Sequence, residues 1–135
     1  TYIFNDFMLT KENVAKDEDI AVRFYATVVS CNHPDYAVVD GGTKCFPTDV
    51  APGQAPYFYP GYAVVEGDEN LRLTRMNEEH GIITAGNGIT GLAVGQVISL
   101  IPIHVCTAVN MQNSVYILEN GELRKQKVEA RGMLV

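Results

Sequence analysis

The sequence predicts an all-β fold, a compact β-barrel-like domain of short antiparallel strands and hairpins with one long proline-rich loop. Three observations carry this. Polarity changes with a period of two rather than 3.6 in the segments that look ordered. Clusters of Gly, Asn and Asp separate those segments at short intervals. No segment holds the apolar stripe of an amphipathic helix. The 135 residues fit one domain, 1–135. A chain of this size buries about two thirds of its unfolded surface, so it needs no disulfide or metal to fold.

The elements follow in chain order. Thr10 could cap a short turn over 10–13. Residues 21–31 (AVRFYATVVSC) are β-branched and aromatic and end at the turn cluster Asn32-His33-Pro34-Asp35. Residues 36–40 (YAVVD) resume the extended run and stop at Gly41-Gly42, so the two segments predict a hairpin. Residues 46–60 hold Pro47, Pro52, Pro56 and Pro60 and predict a long loop, the kind that often carries function. Residues 61–66 and 70–76 flank Gly67-Asp68-Glu69 and predict a second hairpin. In its second strand Leu71 and Leu73 alternate with Arg72 and Arg75, as on a half-buried strand. Residues 97–103 form an apolar strand in which Pro102 marks an edge, a bulge or an end. Residues 115–119 and 122–130 flank Asn120-Gly121, the dipeptide that supplies the positive φ angles of a type I′ turn.

Composition excludes several classes. Hydrophobic residues at 47% and charged residues at 19% argue against disorder. A net charge of −6 opposes binding to a phosphate backbone, so no nucleic-acid partner is expected. Cys31, Cys45 and Cys106 form no CxxC pair. That pattern argues against a disulfide scaffold and for the reducing cytoplasm. Residues 81–118 contain no Asp, Glu, Lys or Arg over 38 positions. Gly, Pro and Asn interrupt this stretch, so it is no membrane span. It is either a buried core segment or a surface facing another protein part. The chain opens at Thr1 with no signal peptide and no initiator Met, which reads as a processed product or a piece of something longer.

Three groups of residues could carry chemistry. His104 and Cys106 lie two apart in IPIHVC. On an extended stretch they would project to the same side, and zinc accepts both imidazole nitrogen and thiolate sulfur. Two ligands leave positions open to water or substrate. The same spacing also fits a packed cysteine beside a hydrogen-bonded histidine. Glu78-Glu79-His80-Gly81 could supply acid–base groups or form a solvated turn. Asp40-Gly41-Gly42-Thr43-Lys44, followed by Asp49, could bring backbone amides to an anion. It lacks the spacing of a phosphate loop, and Lys44 has no neighbour that argues for a Schiff-base role. Cys31-Asn32-His33 sits in a turn and is incidental.

In this order TYIFND, ATVVS, DGGTK with a following Asp, GYA, NEEHG, IPIHVC with TAVN, and EARG resemble the C-terminal domain of D-serine dehydratase-like enzymes. That family includes the metal-activated D-threonine aldolases. The resemblance covers nearly the whole chain. It departs at Ile103, where the family often has Asn, and at Cys45. It implies the alanine-racemase fold type, in which an N-terminal α/β barrel holds pyridoxal phosphate (PLP) through a lysine and the active form is a homodimer. It further implies zinc or another divalent metal at His104 and Cys106, with Glu79 and His80 as catalytic acid–base groups or as neighbours of the metal. The substrate would be a small D-amino acid. The reaction would be dehydration of D-serine to pyruvate and ammonia, or a D-threonine-type aldol cleavage. With the PLP barrel absent from the chain, the domain alone is expected to be inactive. The contrasting reading is a stand-alone, non-catalytic β-barrel for binding or assembly.

Overall fold

The computed structural model describes residues 3–55 and 58–133. Thr1 and Tyr2 of the TYIFND motif and Pro56 of the long loop lie outside the described residues. Six strands close into an antiparallel barrel: β1 (Phe24–Ser30), β2 (Tyr36–Val39), β3 (Ala63–Val65), β4 (Asp68–Met76), β5 (Gly81–Ala85) and β6 (Val97–Pro102). Their order around the wall is β1-β2-β5-β4-β3-β6, and β6 pairs back onto β1. The expected all-β barrel is therefore the observed fold. Closure leaves no unpaired edge in the wall.

The interior follows from the alternation of side chains. Ala26, Val28, Ala37, Val39, Ala63, Leu71, Leu73, Ile83, Ile98 and Leu100 point inward and are buried. Phe46, from the loop after β2, plugs this core and lies against Phe24, with ring centroids 5.3 Å apart. β3 is buried at all three positions because its outer side is covered too. Val64 and Ile101 form an outward-facing pair across β3 and β6. Phe7, Ile20, Tyr59 and Ile103 pack over them as a second core.

Several local expectations are corrected. The first helix, α1 (Phe7–Lys11), is capped by Asp6, whose side chain accepts from the Leu9 amide. Thr10 lies inside that helix, and its hydroxyl donates to the Phe7 carbonyl. Residues 104–106 are not one extended stretch: His104 is extended, and the helix begins at Val105. The chain leaves β6 at Pro102 and turns into α2 (Val105–Asn110), with His104 as its N-cap residue. Residues 81–85, where adjacent Ile82 and Ile83 break the alternation, form β5. The last hairpin, β7 (Ser114–Glu119) with β8 (Glu122–Lys127), has the expected Asn-Gly turn at φ 52° and 84°. Its second strand stops at Lys127 rather than 130.

Asp6 sits where the N-terminal arm meets α2. It is fully buried. One carboxylate oxygen accepts from Leu9 N at 3.1 Å and the other from Val105 N at 2.9 Å. A single side chain thereby satisfies the first turns of both helices. The Asp6→Ala variant leaves two buried amides without acceptors and is expected to lose about 2–3 kcal/mol of stability. Asp6→Asn keeps one acceptor but turns an N–H donor towards the second amide, and should recover only part of that loss. Urea unfolding measures both, as a lower midpoint at unchanged slope.

Candidate functional site

Antiparallel pairing places the starts of β1, β3 and β5 and the ends of β2, β4 and β6 at one end of the barrel. The connections at that end carry every candidate: Lys44 and Asp49 after β2, Glu79 and His80 between β4 and β5, and His104 and Cys106 after β6. Residues scattered over more than 60 positions thus share one rim.

On the β6 side, the first turn of α2 brings His104 and Cys106 together. The Cys106 thiol lies within hydrogen-bonding reach of the imidazole. The convergence expected of an extended strand is instead produced by an N-cap residue and the second residue of a helix. His104 is mostly buried, with 19% of its side chain exposed, whereas Cys106 is exposed. Asp49 reaches in from the proline-rich loop. Its Oδ2 lies 2.5 Å from His104 Nδ1, and its Oδ1 accepts from the Thr107 hydroxyl at 3.0 Å. Partial burial works against the charge on His104. The Asp49 hydrogen bond and charge, then Cys106, outweigh it and hold the imidazole above its usual range. Burial likewise opposes ionisation of Asp49, and the bonds from His104 and Thr107 overcome that and lower its pKa.

On the opposite side, Glu79 pairs with Lys44. The hydrogen bond, then the charge, raises the lysine and lowers the carboxylate. A lysine held protonated is a poor Schiff-base former. Asn77 Oδ1 accepts from the amides of Glu79 and His80, so Glu78-Glu79-His80 is the tight turn that one of its two readings describes. His80 also lines an open groove with Arg75 and Tyr36 on the outer face. Gly42 of DGGTK permits a close backbone contact. A Cβ on Gly42 would collide with the backbone of Asn77 and Glu78. The Thr43 and Lys44 amides are used by the carbonyls of those same residues. Burial pushes the Cys45 thiol up.

Thr107 is the site residue that sequence reasoning does not pick out, and Asp49 is picked out only beside the glycine turn, not as the partner of His104. Asp49 is 55 positions from His104, in a loop with no period, and nothing local marks the pairing. Among the described residues, no three His, Cys, Asp or Glu side chains are grouped so as to hold a metal ion by themselves. His104 and Cys106 fit a divalent cation as two donors of an open site: an imidazole and an exposed thiol, side by side. No helix among the described residues is long and apolar enough to cross a membrane.

Comparisons with known proteins agree with this architecture. A family profile described as "Putative serine dehydratase domain" matches residues 21–118. A D-threonine aldolase from Arthrobacter sp. is 27% identical over 108 residues, covering 79% of this chain and 26% of the aldolase. The D-threo-3-hydroxyaspartate dehydratase from Delftia sp. HT23 superposes with a TM-score of 0.76 at 24% identity, over 93% of this chain and 36% of that one. Two variant structures of a D-threo-3-hydroxyaspartate dehydratase superpose equally well, with TM-scores of 0.78 and 0.77. One replaces a histidine by alanine, and the other replaces a cysteine two positions further on and is in the metal-free form. The D-threonine aldolase from Filomicrobium marinum gives 0.74 at 24% identity, over 98% of this chain and 35% of that one. The structural likenesses establish the fold. The chain spans about a quarter to a third of the length of these relatives.

The ion pair sets a pH dependence. Folding favours protonated His104, so its contribution is complete below about pH 6.5 and is lost as pH rises through the higher folded value. Folding favours ionised Asp49, so its contribution is complete above about pH 4 and is lost as pH falls through the lower folded value. The stability difference between wild type and Asp49→Ala should therefore be largest between about pH 4 and 6.5 and shrink on either side. Urea midpoints taken across pH check this, and a pH-independent difference would contradict the pairing.

Proposed function

The chain belongs to the serine dehydratase domain family, and from that premise we propose that it is the C-terminal β-domain of a PLP- and metal-dependent lyase acting on D-amino acids with a β-hydroxyl. Its part is to supply the metal ligands His104 and Cys106. The observation that carries this is the convergence of the two side chains on the first turn of α2. The dehydratase variants lend support, because a histidine and a cysteine with the same spacing were the residues replaced there.

A divalent cation at such a site, zinc in this reading, supplies Lewis acidity towards a substrate hydroxyl. His104 and Cys106 would hold it, as an imidazole and a thiolate donor. Glu79, kept ionised by Lys44, stands on the same rim as a proton acceptor. His80 beside it exposes an imidazole that can pass a proton to water. The described residues do not fit PLP. Lys44 is engaged by Glu79, and the Thr43 and Lys44 amides that follow the glycines donate to the Asn77 and Glu78 carbonyls. In this reading PLP would be held by the N-terminal barrel that the family resemblance implies, where it would serve as electron sink. A homodimer and a cytoplasmic location complete the reading, the latter supported by three free cysteines.

Cobalt(II) titration of the chain tests the ligand assignment. Wild type should develop a thiolate-to-cobalt charge-transfer band. Cys106→Ala should abolish the band, and His104→Ala should weaken cobalt binding by about tenfold or more. An unchanged spectrum in both variants would overturn the assignment. The chain alone should release no pyruvate from D-serine, and turnover by it would refute the assignment of PLP to another domain.

A further inference from the structure

We propose that Asp49 is a positioning residue for this metal centre: it fixes the proton of His104 on Nδ1 and so presents Nε2 to the cation. The proposal rests on the reading of His104 and Cys106 as ligands and deepens it.

The geometry argues the case from both ends of the carboxylate. Oδ2 lies 2.5 Å from His104 Nδ1. An ionised carboxylate can only accept, so the bond requires the proton on Nδ1. In the neutral imidazole the lone pair then resides on Nε2 alone. Oδ1 is also engaged, by the Thr107 hydroxyl at 3.0 Å. His104 and Thr107 are three residues apart at the start of α2 and face the same side. One carboxylate therefore bridges the first turn of the helix, and fixing that turn also fixes the direction of Cys106. Asp49 does not read as a third ligand, because both its oxygens are committed and no three-donor group exists among the described residues.

The loop bearing Asp49 is anchored for this purpose. Phe46, three residues before it, is buried in the barrel core. Four residues after it, Gly53 donates to the carbonyl of Tyr59, which is itself buried in the second core. The carboxylate is thus held from the body of the domain, independently of the helix it steadies. Carboxylates on the distal nitrogen of a ligating histidine fix its tautomer and raise its basicity.

Two measurements on the chain test this. The first needs no metal. Long-range proton–nitrogen NMR, recorded at a pH well above the ordinary imidazole value, reads the His104 tautomer directly. Wild type should be protonated at Nδ1. Asp49→Ala should shift the ring towards the Nε2-protonated form that water favours. Asp49→Asn keeps an acceptor oxygen and should restore the wild-type tautomer. The second measurement is zinc affinity by competition with a chromophoric chelator. Asp49→Ala should weaken binding by about 10- to 100-fold, and Asp49→Asn should recover part of it. Thr107→Val, which frees one carboxylate oxygen, should cost a few-fold.

An unchanged tautomer in Asp49→Ala overturns the proposal, as does a shifted tautomer with unchanged zinc affinity. A wild-type chain that binds zinc no better than His104→Ala overturns the ligand assignment instead. In that event the NMR result still decides whether Asp49 orients the ring.

Discussion

The candidate site depends first on a buried carboxylate far from it in sequence. Asp6 donates nothing and accepts twice, from the first turn of α1 and from the first turn of α2, 99 positions away. A buried polar group is costly unless hydrogen-bonded, so the arrangement is close to all-or-none. With both amides in place, the arm is fastened beside the end of β6. The Met8 amide then donates to the Ile103 carbonyl, and Phe7 covers Ile101 and Ile103. The direction in which the chain leaves Pro102, and hence the placement of His104 and Cys106, follows from this contact.

The barrel supplies the second constraint. Closure forces alternate strand ends to one rim, and that rim receives the loops with functional side chains. Close approach between the loops is achieved by glycine. Gly42 lies against the backbone of Asn77 and Glu78, and Gly81 lies against the Gly41 carbonyl and Leu73. Any side chain at these two positions would push apart the loop carrying Lys44 and the turn carrying Glu79. The glycines thus act on the site without touching a ligand. The same approach lets the Thr43 and Lys44 amides donate to the Asn77 and Glu78 carbonyls.

The legible parts of the sequence were those governed by one local rule. Hairpins with a single buried face showed their period, and Asn120-Gly121 declared its turn. The backbone that brings His104 and Cys106 together was misread, as an extended strand in place of the first turn of α2. Errors arose where a distant partner overrode the local signal. Residues 104–106 look extended because Ile103, His104 and Val105 alternate in polarity. After His104 the chain turns helical, where Asp6, across the fold, accepts the Val105 amide. Thr10 looks like a cap, but Asp6 occupies that role four residues earlier. β5 showed no period because Ile82, on the outer face, is half-buried beside the inward Ile83. The pairing of Asp49 with His104 was illegible for the same reason: it spans 55 positions.

These contacts divide labour around α2 in a way that suits an open metal site. Position is set by Asp6, which is buried and committed to backbone amides. Orientation is set by Asp49, which is partly exposed, with 39% of its side chain accessible, and committed to side chains. The thiol of Cys106 remains exposed. Buried bonds are screened little by solvent, whereas exposed ones respond to pH and salt. Placement of the helix is therefore stiff, while the ring at its start is held by a bond that a proton or a cation can perturb. A metal site of the kind proposed would use both properties, to exchange ligands while keeping its geometry. Here they come from two aspartates that meet the same six-residue helix from different parts of the chain.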